Sequence, residues 1–318
     1  MTESKRVIID TDPGIDDAAA IFLALSSELL QVEALTTVFG NVELEQCTRN
    51  ALTILELAGR EDIPVYQGAA RPMSREPHYA KHIHGDDGLG GMSIAPTAGV
   101  ASPGGAVDAI VSRVREAPGE ITLIALGPLT NVAQALTVEP ALAANLRELI
   151  VMGGAVLTWG NVTPAASANM YNDPEAADIV FRSGASIVQV GLDVCRPTVI
   201  THDHLARIRA AGTRPSRFLV DASAFIENAY RQFRRGTNNG TGVHFNDVPA
   251  VAYVMHPELF STEDLYVEIE TEGRITAGAT VADFEGILGT PNARVCLGVE
   301  SMGVADLLAD GLASWSVG

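Results

Sequence analysis

The chain has 318 residues, 47% hydrophobic and 19% charged, with a formal net charge of −18. That length and apolar content support a substantial buried core, and the acidic balance disfavours non-specific binding to nucleic acid or to an anionic membrane. Three cysteines, Cys47, Cys195 and Cys296, with no paired spacing, argue against a disulfide framework or a thiolate zinc site and suit a reducing cytoplasm.

In chain order, "MTESKRVIID" carries no secretory apolar region. "RVIID" reads as a strand and "DDAAAIFLALSS" as a helix. "VEALTTVFG" is a strand, and "LEQCTRNALTILELAG" a helix closed by Gly59. "AVDAIVSRVREAP" (helix), "ITLIAL" (strand), "LTNVAQALTVEP" (helix), "LRELIVMGG" (strand), "DPEAADIVFRSG" (helix) and "ASIVQVGLD" (strand) continue the alternation. Such a βαβα order predicts the α/β class, with an open, mostly parallel sheet and helices on both faces. The expected layout is one domain over 1–318: an α/β, Rossmann-like core over about 5–195, a helix-rich part over about 200–256, and strands and turns over about 262–318. No apolar run reaches the roughly 18 residues of a membrane span. The basic cluster "RQFRRG" (231–236) reads as a solvated helix face.

Open sheets of this kind bind ligands beyond the carboxyl ends of their strands. The segments there are "DTDPGIDD", "FGN" (39–41), "ALGPLTN" (125–131) and "MGGAVLTWGN" (152–161), all rich in Gly, Asn or Asp, with "HIHGDDGLGG" (82–91) as a covering loop. Four aspartates, Asp10, Asp12, Asp16 and Asp17, fall within eight residues of the first segment. A helix start uses one or two of them as caps. Asp10 and Asp12 gain nothing from a cap, and the mutual repulsion points to a cation with all-oxygen ligands, Ca²⁺ or Mg²⁺ rather than zinc. A haloacid-dehalogenase-type phosphatase also places D-x-D after its first strand. It requires Thr or Val two residues beyond the second Asp, where this chain has Gly14.

"DTDPGIDDAAAI" resembles the D-x-D-P-G-x-D-D-A signature of the inosine–uridine nucleoside hydrolases. "FGN", "HGDDGLGG" (84–91), "LGPLTNVA" (126–133), "VMGGAV" (151–156), "GNVTPAASAN" (160–169), "DPEAADIVF" (173–181) and "DVPAVAYVMHPELF" (247–260) extend the resemblance in family order. It implies Ca²⁺-dependent hydrolysis of the N-glycosidic bond of ribonucleosides, through an oxocarbenium-like transition state. By the same resemblance, Asp12, Asp17, Asp247 and the Leu126 carbonyl hold the metal. Asp12 is the general base toward a metal-activated water, and Asp10 orients the metal ligands. Asp16, Asn41, Asn161 and Asn169 hold the ribose. The implied partner is a small ribonucleoside, with neither nucleic acid nor membrane, and relatives suggest a cytoplasmic homodimer or homotetramer.

Two positions depart from the family pattern. Ser167 and Ala168 stand where relatives carry an acidic residue and an aromatic, which changes recognition at the 5′ position. Asn246 stands where many relatives carry a histidine that protonates the leaving base. His84 and His244 are the alternatives for that role, and Asn228, Tyr230 or Arg234 are further candidates for base contact. These departures keep two other readings open: an N-ribosidase for a modified or non-nucleobase riboside, and a non-catalytic nucleoside- or sugar-binding protein.

Overall fold

The structure, a computed structural model, describes residues 4–93, 99–233 and 240–315. In chain order the strands are β1 (Lys5–Thr11), β2 (Leu30–Thr37), β3 (Val65–Gln67), β4 (Ile121–Ala125), β5 (Glu148–Met152), β6 (Ile187–Val190), β7 (Ile200–Thr201), β8 (Gly242–Val243), β9 (Phe260–Ile269), β10 (Thr280–Asp283) and β11 (Ala293–Val299). Nine pair into one sheet in the order β10-β9-β11-β6-β5-β4-β1-β2-β3, while β7 and β8 form a separate ribbon. From β3 across to β11 every pairing is parallel; β9 and β10 add an antiparallel edge.

The central strand shows why the apolar runs are unbroken. In β1, Val7 and Ile9 pack into the cluster built with the helices Ile15–Ser26, Val248–Met255 and Ser301–Ala313. Ile8 points the other way, into the cluster with Ala106–Glu116, Thr130–Val138 and Pro174–Phe181. Both faces are covered, so neither face of the strand can be polar.

Strand order reverses beside β1. β2 and β3 lie on one side of it, and β4, β5 and β6 follow on the other. The carboxyl end of β1 is therefore the topological switch point, the place where such sheets open a crevice.

Two segments differ from expectation. β3 lies in "PVYQG", too short to stand out from the surrounding loop. The expected tail of strands and turns ends at β11, because Ser301–Ala313 is a helix that packs Val304, Ala305, Leu308 and Leu312 into the core. Of the basic cluster, Arg231 ion-pairs with Glu227 one turn earlier, Phe233 meets the His82 ring edge-on at 5.4 Å, and 234–236 lie outside the described residues. Among the described residues, no helix is long and apolar enough to cross a membrane.

Candidate active site

Asp10 and Thr11 are the last two residues of β1, and Pro13 and Gly14 turn the chain into the helix Ile15–Ser26. That turn brings the aspartates together. Asp17 is fixed from three sides: Thr11 Oγ1 donates to Oδ1 at 2.5 Å, and Gly14 N and Asn41 Nδ2 donate to Oδ2 at 2.8 and 3.1 Å. Asp12 Oδ2 accepts from Asn41 N at 2.8 Å. Asp10 lies deeper, accepting from Thr36 Oγ1 at 2.5 Å and Asn131 Nδ2 at 2.8 Å. Asp247 arrives from the far end of the chain, just before the helix Val248–Met255.

One carboxylate oxygen from each of Asp16, Asp17 and Asp247 lies within 4.8 Å of the others. The resemblance placed Asp12 in this group and Asp16 with the sugar; the structure brings Asp16 into the tight cluster. Asp12 sits beside it with its carboxylate against Gly40 and Gly127. A Cβ at Gly40 would meet Asp12 Oδ2 at 2.0 Å, and one at Gly127 would meet Oδ1 at 2.7 Å, so both glycines make room for that carboxylate.

Burial dominates the electrostatics. It pushes Asp10 up to about 7 and Asp16 to about 6. Burial followed by the Asp16 charge lifts Asp17 to about 6. Asp12 and Asp247 rise well above the usual carboxylate range, from burial and then the charges of the neighbouring aspartates. Among the described residues no lysine or arginine pairs with any of them, and the buried Oδ1 of Asp16 has no hydrogen bond. This donor set fits a hard divalent cation: oxygen only, anionic and, among the described residues, without a lysine or arginine counter-charge; the His84 ring lies 3.7 Å from Asp16 Oδ1.

A cleft opens above the cluster. Asp12, Asp16, Asn41, His84, Leu126, Asn161, Ser167, Asn169, Asn246 and Asp247 all line it. Asp10 and Asp17 lie beneath, fully buried. Leu126 takes part through its backbone: its carbonyl accepts from Asn169 Nδ2 at 2.5 Å. Ser167 Oγ accepts from Gly154 N at 2.7 Å, and Asn161 Oδ1 from Ala168 N at 2.8 Å. His84 Nδ1 accepts from Ile15 N at 3.2 Å, which leaves its ring proton on Nε2.

His244 is not on the lining. It is buried, with its ring 5.7 Å from that of Tyr230. Tyr230 is the member of the three-residue alternative that reaches the cavity, and its hydroxyl accepts from Asn246 Nδ2 at 2.7 Å. Asn228 is exposed, and Arg234 lies outside the described residues. Sequence reasoning missed the apolar lining of Ala80, Ile83 and Met152, and it missed Asn131 and Thr36. The "LTN" that follows a strand end was the available signal for Asn131.

The chain superposes on a plant nucleoside hydrolase, the PpNRh1 enzyme (TM-score 0.93, 38% identity, 98% of this chain and 100% of that one). It superposes similarly on a purine-preferring ribonucleoside hydrolase from Gardnerella vaginalis (TM-score 0.92, 32% identity, 98% and 99%). Fold and site thus define a nucleoside hydrolase, an enzyme acting on N-glycosyl bonds. A non-specific ribonucleoside hydrolase, RihC, from Salmonella typhimurium is 41% identical over 311 residues, 98% of each chain. The family model of the inosine–uridine preferring nucleoside hydrolases matches residues 7–306, and the chain belongs to that metal-dependent family.

Proposed function

We propose that this protein hydrolyses ribonucleosides to ribose and free base with Ca²⁺ at the aspartate cluster. The observation that carries the reading is the convergence of buried carboxylates, with no lysine or arginine partner among the described residues and only His84 Nδ1 near Asp16 Oδ1 at 3.7 Å, on a cavity also lined by Asn41, Asn161 and Asn169. Asp12, Asp17, Asp247 and the Leu126 carbonyl would hold the cation, with Asp16 alongside. When bound, the cation neutralises this charge and lowers the pKa of water.

The chain's own groups do the rest. Asp12 takes the proton from the attacking water; Asn41 N–H and the walls at Gly40 and Gly127 hold its carboxylate in place. Asp16 accepts from the ribose 2′-hydroxyl, Asn169 binds the 3′-hydroxyl and Asn161 the 5′ side. Because Asn161 Oδ1 is occupied by Ala168 N–H, its Nδ2 is the group offered to the sugar. The anionic floor stabilises positive charge as it develops on the ribose ring. His84, through Nε2, and the Tyr230–Asn246 pair are assigned to the base, which makes up for the missing histidine at 246. His244 supports the Tyr230 ring from behind.

The reading includes a single domain and a cytoplasmic homo-oligomer. Three buried, unbridged cysteines support the reducing compartment.

The test is Asp12→Asn. Loss of a general base costs about 10²–10⁴ in rate, so kcat on the best ribonucleoside is expected to fall at least a hundredfold with the circular dichroism spectrum unchanged. A variant keeping more than a tenth of the wild-type kcat would remove Asp12 from that role.

A further inference from the structure

The segment 156–167 forms one wall of the cavity and contains no helix or strand, yet it carries Asn161 and Ser167. Apart from a single β-bridge between Ala166 and Ala279, it is held by contacts other than regular structure. At its base, the Asp193 carboxylate accepts from Val156 N at 3.0 Å and Leu157 N at 2.7 Å. At its tip is Trp159, which is 59% exposed and so gains little from burial. What lies against that ring is Arg196, just past the short helix Leu192–Cys195: its Cζ is 4.4 Å from the ring centroid. The same guanidinium donates through Nη2 to the Gly160 carbonyl at 2.9 Å.

We propose that Arg196 and Trp159 form a clasp that positions Asn161 for the sugar, making Arg196 a positioning residue of the ribose subsite. This rests on the ribonucleoside reading above. A planar guanidinium can stack on an aromatic face and donate in its own plane at once, which an ammonium cannot. The clasp therefore grips two consecutive residues, 159 and 160, immediately before Asn161.

The turn beyond has no slack to absorb a displacement. Gly160 N donates to Pro164 O at 3.0 Å and Asn161 N to Ala166 O at 3.1 Å. A Cβ at Gly160 would meet the Thr163 and Ala166 carbonyls at 2.2 Å, so the backbone there is packed carbonyl to α-carbon. Asn161 Oδ1 in turn binds Ala168 N at the start of the helix Ala168–Asn172, which carries Asn169. The path from Arg196 to the sugar-facing amides is continuous. Neither Arg196 nor Trp159 lines the cavity, so their effect must pass through Asn161.

The test is a double-mutant cycle with Asn161→Ala, read as KM and kcat on a ribonucleoside. Arg196→Met is expected to raise KM about tenfold while kcat changes less than about threefold. In the Asn161→Ala background it should change KM less than about twofold, because the residue it acts through is gone. Trp159→Ala, at a position too exposed to threaten folding, should reproduce the same pattern, and Arg196→Lys should recover only part of the loss.

A second arm does not need turnover. The chain has two tryptophans, so Trp315→Phe leaves Trp159 as the sole emitter. Ribose is expected to give a saturable change in its emission, with the midpoint shifted about tenfold upward by Arg196→Met. An unchanged KM in both Arg196→Met and Trp159→Ala, additive effects in the cycle, or a ribose midpoint unmoved by Arg196→Met would overturn the clasp. A wild-type protein that releases no ribose would instead overturn the functional reading, and the ribose titration would still decide the clasp.

Discussion

Gly40→Ala adds a single methyl group at the point where the site has least room. The new Cβ would stand 2.0 Å from Asp12 Oδ2 and 2.7 Å from its Cγ. Ordinary contact needs about 3 Å or more, so the carboxylate must retreat by about 1 Å. Retreat takes Oδ2 out of its hydrogen bond from Asn41 N, and Gly127 lies close on the Oδ1 side. A displacement of about 1 Å at a reacting group costs about 10²-fold in rate, and kcat is expected to fall by that factor or more. Gly59→Ala is the control. Gly59 closes the helix Leu44–Ala58 at φ 65°, and a methyl group added there would meet nothing within 4 Å. It should lose about 1 kcal/mol of stability from the left-handed backbone and keep its activity. Reducing-sugar release measures the rate and thermal denaturation the stability. A Gly40→Ala enzyme retaining a third of the wild-type kcat would refute the reasoning, since Asp12 would then be either free to move or remote from the reaction.

Removal of the cation should make stability strongly pH-dependent. Asp10, Asp16 and Asp17 have folded values of about 7, 6 and 6, above the ordinary carboxylate value near 4. The stability they contribute is thus complete below about pH 4 and is lost as pH rises through about 6–7. Chelated protein should melt at a lower temperature at pH 7.5 than at pH 5, with added Ca²⁺ restoring more at the higher pH; the opposite order would contradict the buried-carboxylate account. At the 5′ position, Ser167 is neutral and its hydroxyl already accepts from Gly154 N. A substrate lacking the 5′-hydroxyl therefore strands no carboxylate, and its kcat/KM should lie within about tenfold of the parent riboside. A thousandfold preference would mean that another group recognises that hydroxyl.

The parts of the site that follow a strand were legible from sequence, because an apolar β-branched run ending in Asp, Gly or Asn marks both the strand and its carboxyl end. The segments holding Asp10, Asp12, Asn41, Leu126 and Asn161 came this way, while the roles of Asn41 and Leu126 came from the family resemblance. Asp247, Asn169 and the sugar-binding role of Asn161 depended on the family pattern, since local composition says nothing about which distant turn meets β1. What stayed hidden depends on tertiary contact. Asn131 reaches Asp10 across 121 positions, and the approach of Asp16 to Asp17 and Asp247 depends on where Asp247 arrives from the far part of the chain. The helix Ser301–Ala313 follows β11 directly after Glu300, so a strand pattern was read into it. β8 ends at Val243, so His244 does not share the cavity face with Asn246, and of the two only Asn246 lines the cavity. Arg196 carried no signal in sequence, because its meaning lies in Trp159 and Gly160.

The most direct test of the central claim is product analysis of inosine and uridine incubated with the protein in phosphate-free buffer made with ¹⁸O-water. The account predicts free base and ribose in equal amounts, with one ¹⁸O at the anomeric carbon of ribose, and loss of both products on chelation with recovery on adding Ca²⁺. Intact nucleosides, or base release only when phosphate is supplied, would contradict it.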